Sequence, residues 1–162
     1  MLKTRRVKCL SIRQHFANAC IYGLKWCENR SNWNFRYTGT IYIHSGTTDD
    51  GPLQQYGLPE PRNAPVYFGA LIGKVYLHSV QHFDDMQDFL NSAYETGFEN
   101  KLRAGVPGVR KDMTDNQFIE SIKFCGGPDC LIMVDRKPLS RPHYMPGKLG
   151  IFEADIPVEL TV

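Results

Sequence analysis

Tyr67-Phe68-Gly69-Ala70-Leu71-Ile72-Gly73-Lys74-Val75-Tyr76-Leu77-His78-Ser79-Val80 is the stretch that decides the fold class of this 162-residue chain. Leu71, Val75 and Leu77 share one parity; Lys74, Tyr76 and His78 share the other. A period of two sends alternate side chains to opposite faces of a sheet, so residues 67–80 predict a strand with one apolar face. The glycines at 69 and 73 precede a lysine, but three residues separate them instead of four and they lie inside the strand. That is not a phosphate loop.

Working outward, Gly39 introduces a second alternating segment over residues 40–45, and residues 46–65 read as a long loop broken by glycine and proline. Residues 7–12 alternate and predict a first strand. Ser11-Ile12-Arg13-Gln14 fits a capping box, followed by a short helix carrying Phe16, Ala17, Ala19, Cys20 and Ile21, with Gly23 placed to end it. On the other side, residues 82–100 predict an acidic amphipathic helix with Phe83, Met86, Phe89, Leu90 and Tyr94 inward. Residues 101–116 are loop, 118–124 a strand or one helical turn, and 130–136 and 148–156 strands. Strands outnumber helices and no βαβ alternation occurs. The expected architecture is α+β, mainly β: a small β-barrel with peripheral helices, in a single domain over residues 1–162.

Composition excludes several classes. With 42% hydrophobic and 22% charged residues, the chain can bury a core without staples. No apolar run of about 20 residues exists, so no membrane-spanning helix is expected, and the basic start lacks the apolar stretch of a secretory leader. The five cysteines show no C-x-x-C spacing, which points to reduced thiols in the cytoplasm and away from a zinc ribbon. His78 and His82 straddle a strand end. No metal and no cofactor is expected.

The net charge of +2 conceals a segregation. Residues 1–48 hold eight basic side chains (Lys3, Arg5, Arg6, Lys8, Arg13, Lys25, Arg30, Arg36) against Glu28, whereas residues 49–100 hold two basic and eight acidic ones. A basic third can meet a phosphate backbone; a solvated surface balanced through the fold explains the same count. Within that third, Lys25 and Glu28 are close enough in sequence to pair. Arg30 adds a guanidinium able to clamp a phosphate or stack on a base. Buried, Lys25 could act as base or nucleophile; exposed, the pair is a surface ion pair worth little. Trp33, Phe35 and Tyr37 interleave with Arg30 and Arg36, a pattern that suits base stacking or a core edge. His44, a histidine at the end of the second strand, is a candidate ligand contact, acid or base. A second basic group, Arg136-Lys137-Pro138-Leu139-Ser140-Arg141-Pro142-His143-Tyr144, reads as a rigid connecting loop.

Leu10-Ser11-Ile12-Arg13-Gln14, an apolar helix, Gly23-x-Lys25-x-x-Glu28-x-Arg30, then Gly39 and the strand through Ile43-His44 resemble the ASCH domain family, whose fold is similar to the PUA domain. The resemblance runs from about Val7 to Pro157. It implies a β-barrel with a cleft beside the first helix, lined by Gln14, Lys25, Glu28 and Arg30, with Arg13 beside it. Family members bind RNA, DNA or nucleotides. Some relatives hydrolyse acylated cytidine with a Lys, a Thr and a Glu, and others cleave RNA. Lys25 matches that Lys, but Glu28 stands at the Thr position, His15-Phe16 replaces a usual Pro-Trp, and Thr38 replaces an Arg. The resulting expectation is a nucleic-acid-binding domain holding single-stranded RNA or a nucleotide. The alternatives are a hydrolase using Lys25 and Glu28, or a protein-interaction domain using the acidic helix.

Overall fold

The computed structural model describes residues 1–31, 37–82, 84 and 113–161. In chain order the elements are β1 (Thr4–Gln14), α1 (Phe16–Ile21), β2 (Cys27–Arg30), β3 (Gly39–Asp49), β4 (Ala70–His82), α2 (Asp115–Ser121), β5 (Asp129–Tyr144) and β6 (Ile151–Pro157), with short 3-10 turns at Leu53–Tyr56, Ile122–Phe124 and Val158–Leu160. The strands form one mixed sheet in the order β2-β5-β4-β3-β1-β6. β1 runs parallel to β3 (Cys9 opposite Tyr42, Ser11 opposite His44) and antiparallel to β6 (Arg6 opposite Asp155, Lys8 opposite Glu153). The chain is mainly β with few helices, as its alternation predicts. Among the described residues the sheet is open, with β2 and β6 at its edges, rather than closed into a barrel. No described helix is long and apolar enough to cross a membrane.

The contacts divide the chain into two compact units. The first comprises Met1–Gly23, Thr40–Val75 and Arg136–Val162. Part of its core is Cys9, Tyr42, Leu71, Phe152, Ile156 and Leu160. In β4, Leu71 and Val75 are buried while Lys74 is half-buried. Gly73 sits under Ile21: a Cβ there would come within 2.6 Å of the Ile21 side chain, so its bare backbone lets α1 lie against the strand. The second unit comprises Leu24–Gly39 and Tyr76–Asp135. Its core gathers Trp26, Cys27, Met113, Phe118, Cys130, Ile132 and Val134.

Several local expectations change. Ser11 does not cap α1, because β1 continues through Gln14 and the Ser11 hydroxyl meets His44 Nδ1 at 3.2 Å. The N-cap is His15, without a side-chain cap. Gly23 closes α1 by proximity, not by a left-handed turn: a Cβ would lie 3.0 Å from Ala19 Cα and 3.1 Å from Pro61. Residues 46–49 extend β3, and residues 137–144 extend β5, because pairing with neighbouring strands outweighs the turn-like glycine and prolines. Of the two readings for residues 118–124, the helical one is observed, with a Thr114–Gln117 capping box. β4 ends at His82, and the acidic helix expected over 82–100 otherwise lies outside the described residues except at Asp84.

Candidate functional site

In the second unit the apolar anchor is Trp26. Its indole N–H donates to Ser121 Oγ at 2.7 Å, its ring stacks on Phe118 at 6.3 Å, and its carbonyl accepts from Met133 N at 2.8 Å. Nothing in the spacing marks Trp26 as the residue that fixes the site, yet its burial on β5 determines where Lys25, Cys27 and Glu28 stand. β2 then pairs antiparallel with β5, Glu28 opposite Leu131 and Arg30 opposite Asp129. Alternation sends Glu28 and Arg30 to one face and Cys27 and Asn29 to the other.

Lys25, Glu28 and Arg30 converge. Lys25 Nζ lies 3.3 Å from Glu28 Oε2, and Arg30 Nε lies 3.5 Å from Glu28 Oε1. The Lys25 and Glu28 side chains are 3% and 13% exposed, against 29% for Arg30. Lys25 also donates to the Cys27 carbonyl and lies 5.7 Å from the Phe124 ring centroid. This is not a solvated surface pair. Two cations meet one carboxylate, and Arg30 is the more exposed of the two.

On the opposite face of β2, Asn29 holds the loop after α2. Its Oδ1 accepts from Gly126 N at 2.9 Å and Gly127 N at 3.0 Å, while its Nδ2 donates to the Phe124 carbonyl at 2.7 Å. The Cys27 and Cys130 thiols lie 3.4 and 3.6 Å from the same oxygen. Cys27 is held above the usual thiol range first by its hydrogen bond with Cys125, with burial adding to this and Cys130 opposing it. Cys130 is raised first by Cys27 and then by burial. These thiols stay protonated and serve packing.

In the first unit, Gln14 is fully buried. Its Nε2 donates to Asn18 Oδ1 at 2.9 Å and to the Tyr67 carbonyl at 2.7 Å, and its Oε1 accepts from Asn18 N at 3.1 Å. Asn18 in turn donates to the Pro65 carbonyl at 2.7 Å. Gln14 and Asn18 thereby tie α1 to the 65–67 segment. Asn18 is a buried polar residue whose role no local pattern signals. His44 is also buried, with Nδ1 at 3.2 Å from Ser11 Oγ and Nε2 at 2.8 Å from the Met145 carbonyl. Because a carbonyl only accepts, Nε2 carries the proton and Nδ1 accepts from Ser11. Both ring nitrogens are therefore engaged. Arg13 is exposed and reaches Asp50 at 3.4 Å. Tyr37 folds over Gly39, whose φ of +136° and closeness to the Tyr37 ring leave no room for a Cβ. Trp33, Phe35 and Arg36 lie outside the described residues.

The site thus defines a mainly β chain with a largely buried Lys25–Glu28 pair joined by the more exposed Arg30 at β2. No family model matches the chain, and no curated protein matches it. Among solved structures, ASCH from Zymomonas mobilis is 16% identical over 95% of this chain and 90% of its own, with a TM-score of 0.44. Two mutant forms of ZmASCH from that organism are 15% and 16% identical; each covers 95% of this chain, and the coverage of their own chains is 92% and 90%, with TM-scores of 0.42 and 0.41. Likenesses at this level carry no argument about this chain. The ASCH resemblance rests on the motif itself.

Proposed function

We propose that this chain binds nucleic acid through the Lys25–Glu28–Arg30 array, with single-stranded RNA or a nucleotide as ligand. The observation that carries the reading is the convergence of two cations on one largely buried carboxylate, with Arg30 the more exposed of the two. A guanidinium so placed can bind a phosphate oxygen pair or stack on an unpaired base. The motif's likeness to the ASCH family supports the same reading, as does the basic first third of the chain. A cytoplasmic setting belongs with it, favoured by five unbridged cysteines. Fluorescence titration with single-stranded RNA, single-stranded DNA and nucleosides, at low and moderate salt, is the test. RNA should bind most tightly, and Arg30→Gln should weaken it about tenfold or more, in line with loss of a charge-assisted hydrogen bond. Failure to bind all three ligands would remove the reading.

A second reading, a hydrolase acting on a modified nucleoside or on RNA, is favoured by the burial of Lys25 against Glu28. A lysine and a carboxylate 3.3 Å apart can exchange a proton during acyl transfer. Incubation with acylated cytidine and with RNA separates the readings. Turnover lost in Lys25→Met supports the enzyme; equal turnover in both proteins takes Lys25 out of the chemistry.

A further inference from the structure

We propose that Ser11 and His44 form a nucleophilic centre within the first unit, with Ser11 Oγ accepting the acyl group of a small activated ester and His44 taking the hydroxyl proton.

The row of side chains shared by β1, β3 and β6 is apolar up to this pair. Cys9 lies opposite Tyr42 on β3 and Phe152 on β6, and all three belong to the core. One step of the same parity further along, the row turns polar, with Ser11 opposite His44. An apolar pair would fill that place without the cost of desolvating a hydroxyl and an imidazole.

Three contacts fix the His44 ring. Its Nε2–H donates to the Met145 carbonyl at 2.8 Å, its Nδ1 accepts from Ser11 Oγ at 3.2 Å, and its ring meets Phe152 edge-on at 6.1 Å. A carbonyl only accepts, so the ring's free lone pair stays on Nδ1, the nitrogen that faces the serine. A nucleophile within hydrogen-bond reach of a base, whose other nitrogen is oriented by a third group, is the arrangement that activates a serine. Here a backbone carbonyl fills the orienting role. His44 is buried and Ser11 half-buried, so the base is shielded from water while the nucleophile is within reach.

Gly147 crosses over the pair. A Cβ there would lie 2.6 Å from His44 Nδ1 and 2.7 Å from Ser11 Oγ, so any side chain at 147 would take the place beside the nucleophile. Residues 146–149 are exposed, and solvent lies directly beyond the segment that covers the pair. The narrow approach past Gly147 selects a small acyl group. A carbonyl supports an imidazolium less than a carboxylate does, which directs the centre to esters with a good leaving group. In the first step Ser11 Oγ bonds to the acyl carbon and its proton moves to His44 Nδ1. The leaving oxygen departs with the electron pair of its bond and takes that proton. Water then attacks the acyl carbon and gives a proton to Nδ1, which returns it to Ser11 Oγ as the carboxylic acid leaves.

The test uses the full chain without nucleic acid. After incubation with a fluorophosphonate probe or with p-nitrophenyl acetate, peptide mass spectrometry should find the phosphonyl or acetyl group on Ser11. Ser11→Ala should lose both labels, and His44→Asn should slow labelling about 100-fold or more, the range of general-base assistance. An imidazole ¹H–¹⁵N spectrum of the unaltered chain asks nothing of a variant's folding and should place the His44 proton on Nε2. Absence of label on Ser11, equal labelling of a folded His44→Asn, or the proton on Nδ1 overturns the proposal. Any of these would leave the pair as a hydrogen-bonded tie between β1, β3 and Met145. None of the readouts involves RNA, so their failure leaves the Lys25–Glu28–Arg30 reading standing. Conversely, label on Ser11 in a chain that binds no RNA would uphold this centre alone.

Discussion

Lys25 stands out at the residue scale because it is a charged side chain only 3% exposed. Removing one partner of a buried ion pair leaves a charge that water no longer compensates. Glu28→Gln should therefore cost on the order of 3 kcal/mol in urea unfolding, whereas the same change at an exposed pair costs under about 1 kcal/mol. The double variant Lys25→Met/Glu28→Leu should regain much of that loss, since apolar replacement of a whole buried pair is often nearly neutral. A cost for Glu28→Gln no larger than for a surface pair would mean that the array is solvated. Here the sequence leaves two readings open, a buried array and a surface pair. Only the packing of Trp26 against Phe118 and Ser121 chooses between them.

At the element scale, the alternation of β4 is legible residue by residue, while the ends of the strands are not. Residues 137–144 contain two prolines yet run as strand, and Ser11 faces His44 instead of capping α1. Local preferences of this size are overruled when a partner strand lies alongside. The contact between α1 and β4 is testable through Gly73. Gly73→Ala should destabilise by about 1–3 kcal/mol through overpacking against Ile21. Ile21→Ala in the same chain should recover part of that loss, seen as a coupling energy in a double-mutant cycle. Strict additivity would show that the two positions do not touch. The thiols give a pH dependence. Cys9 is pushed up to about 12 by burial, and Cys27 and Cys130 are also raised. Such groups keep their protons in the folded chain after the unfolded chain has begun to lose them. Their contribution is complete below the ordinary thiol range and is lost as the pH rises through it. Denaturant unfolding followed from pH 7 to pH 10 should show stability falling by about 1.4 kcal/mol per pH unit for each such thiol above its unfolded pKa. A flat profile would contradict their burial.

Across the whole molecule, the segregated charge looks different once the strands are paired. Of the basic residues in the first 48, Arg6, Lys8 and Arg13 are answered by Asp155, Glu153 and Asp50. A protein using its full surplus of seven charges on a single strand would show log affinity against log salt with a slope near about −5. With those three cations already engaged, a slope of about −2 to −3 is expected for RNA, measured by titration across a salt series. Arg6→Gln should leave affinity within about twofold, since its charge is neutralised by Asp155 in the folded state. A slope near −5, or a large loss in Arg6→Gln, would show that the β1–β6 ion pairs open when ligand binds.

The amino-acid order by itself determines that the chain is mainly β, that its first third is basic, and that Lys25, Glu28 and Arg30 stand close enough to cooperate. Those are local properties, set by side-chain period and spacing along one segment. Tertiary structure decides which carboxylate answers which charge. The β1–β6 register pairs Arg6 and Lys8 with carboxylates more than 140 positions away. A formal count of charge is indifferent to distance. Electrostatic energy is not, and only the fold sets the distances.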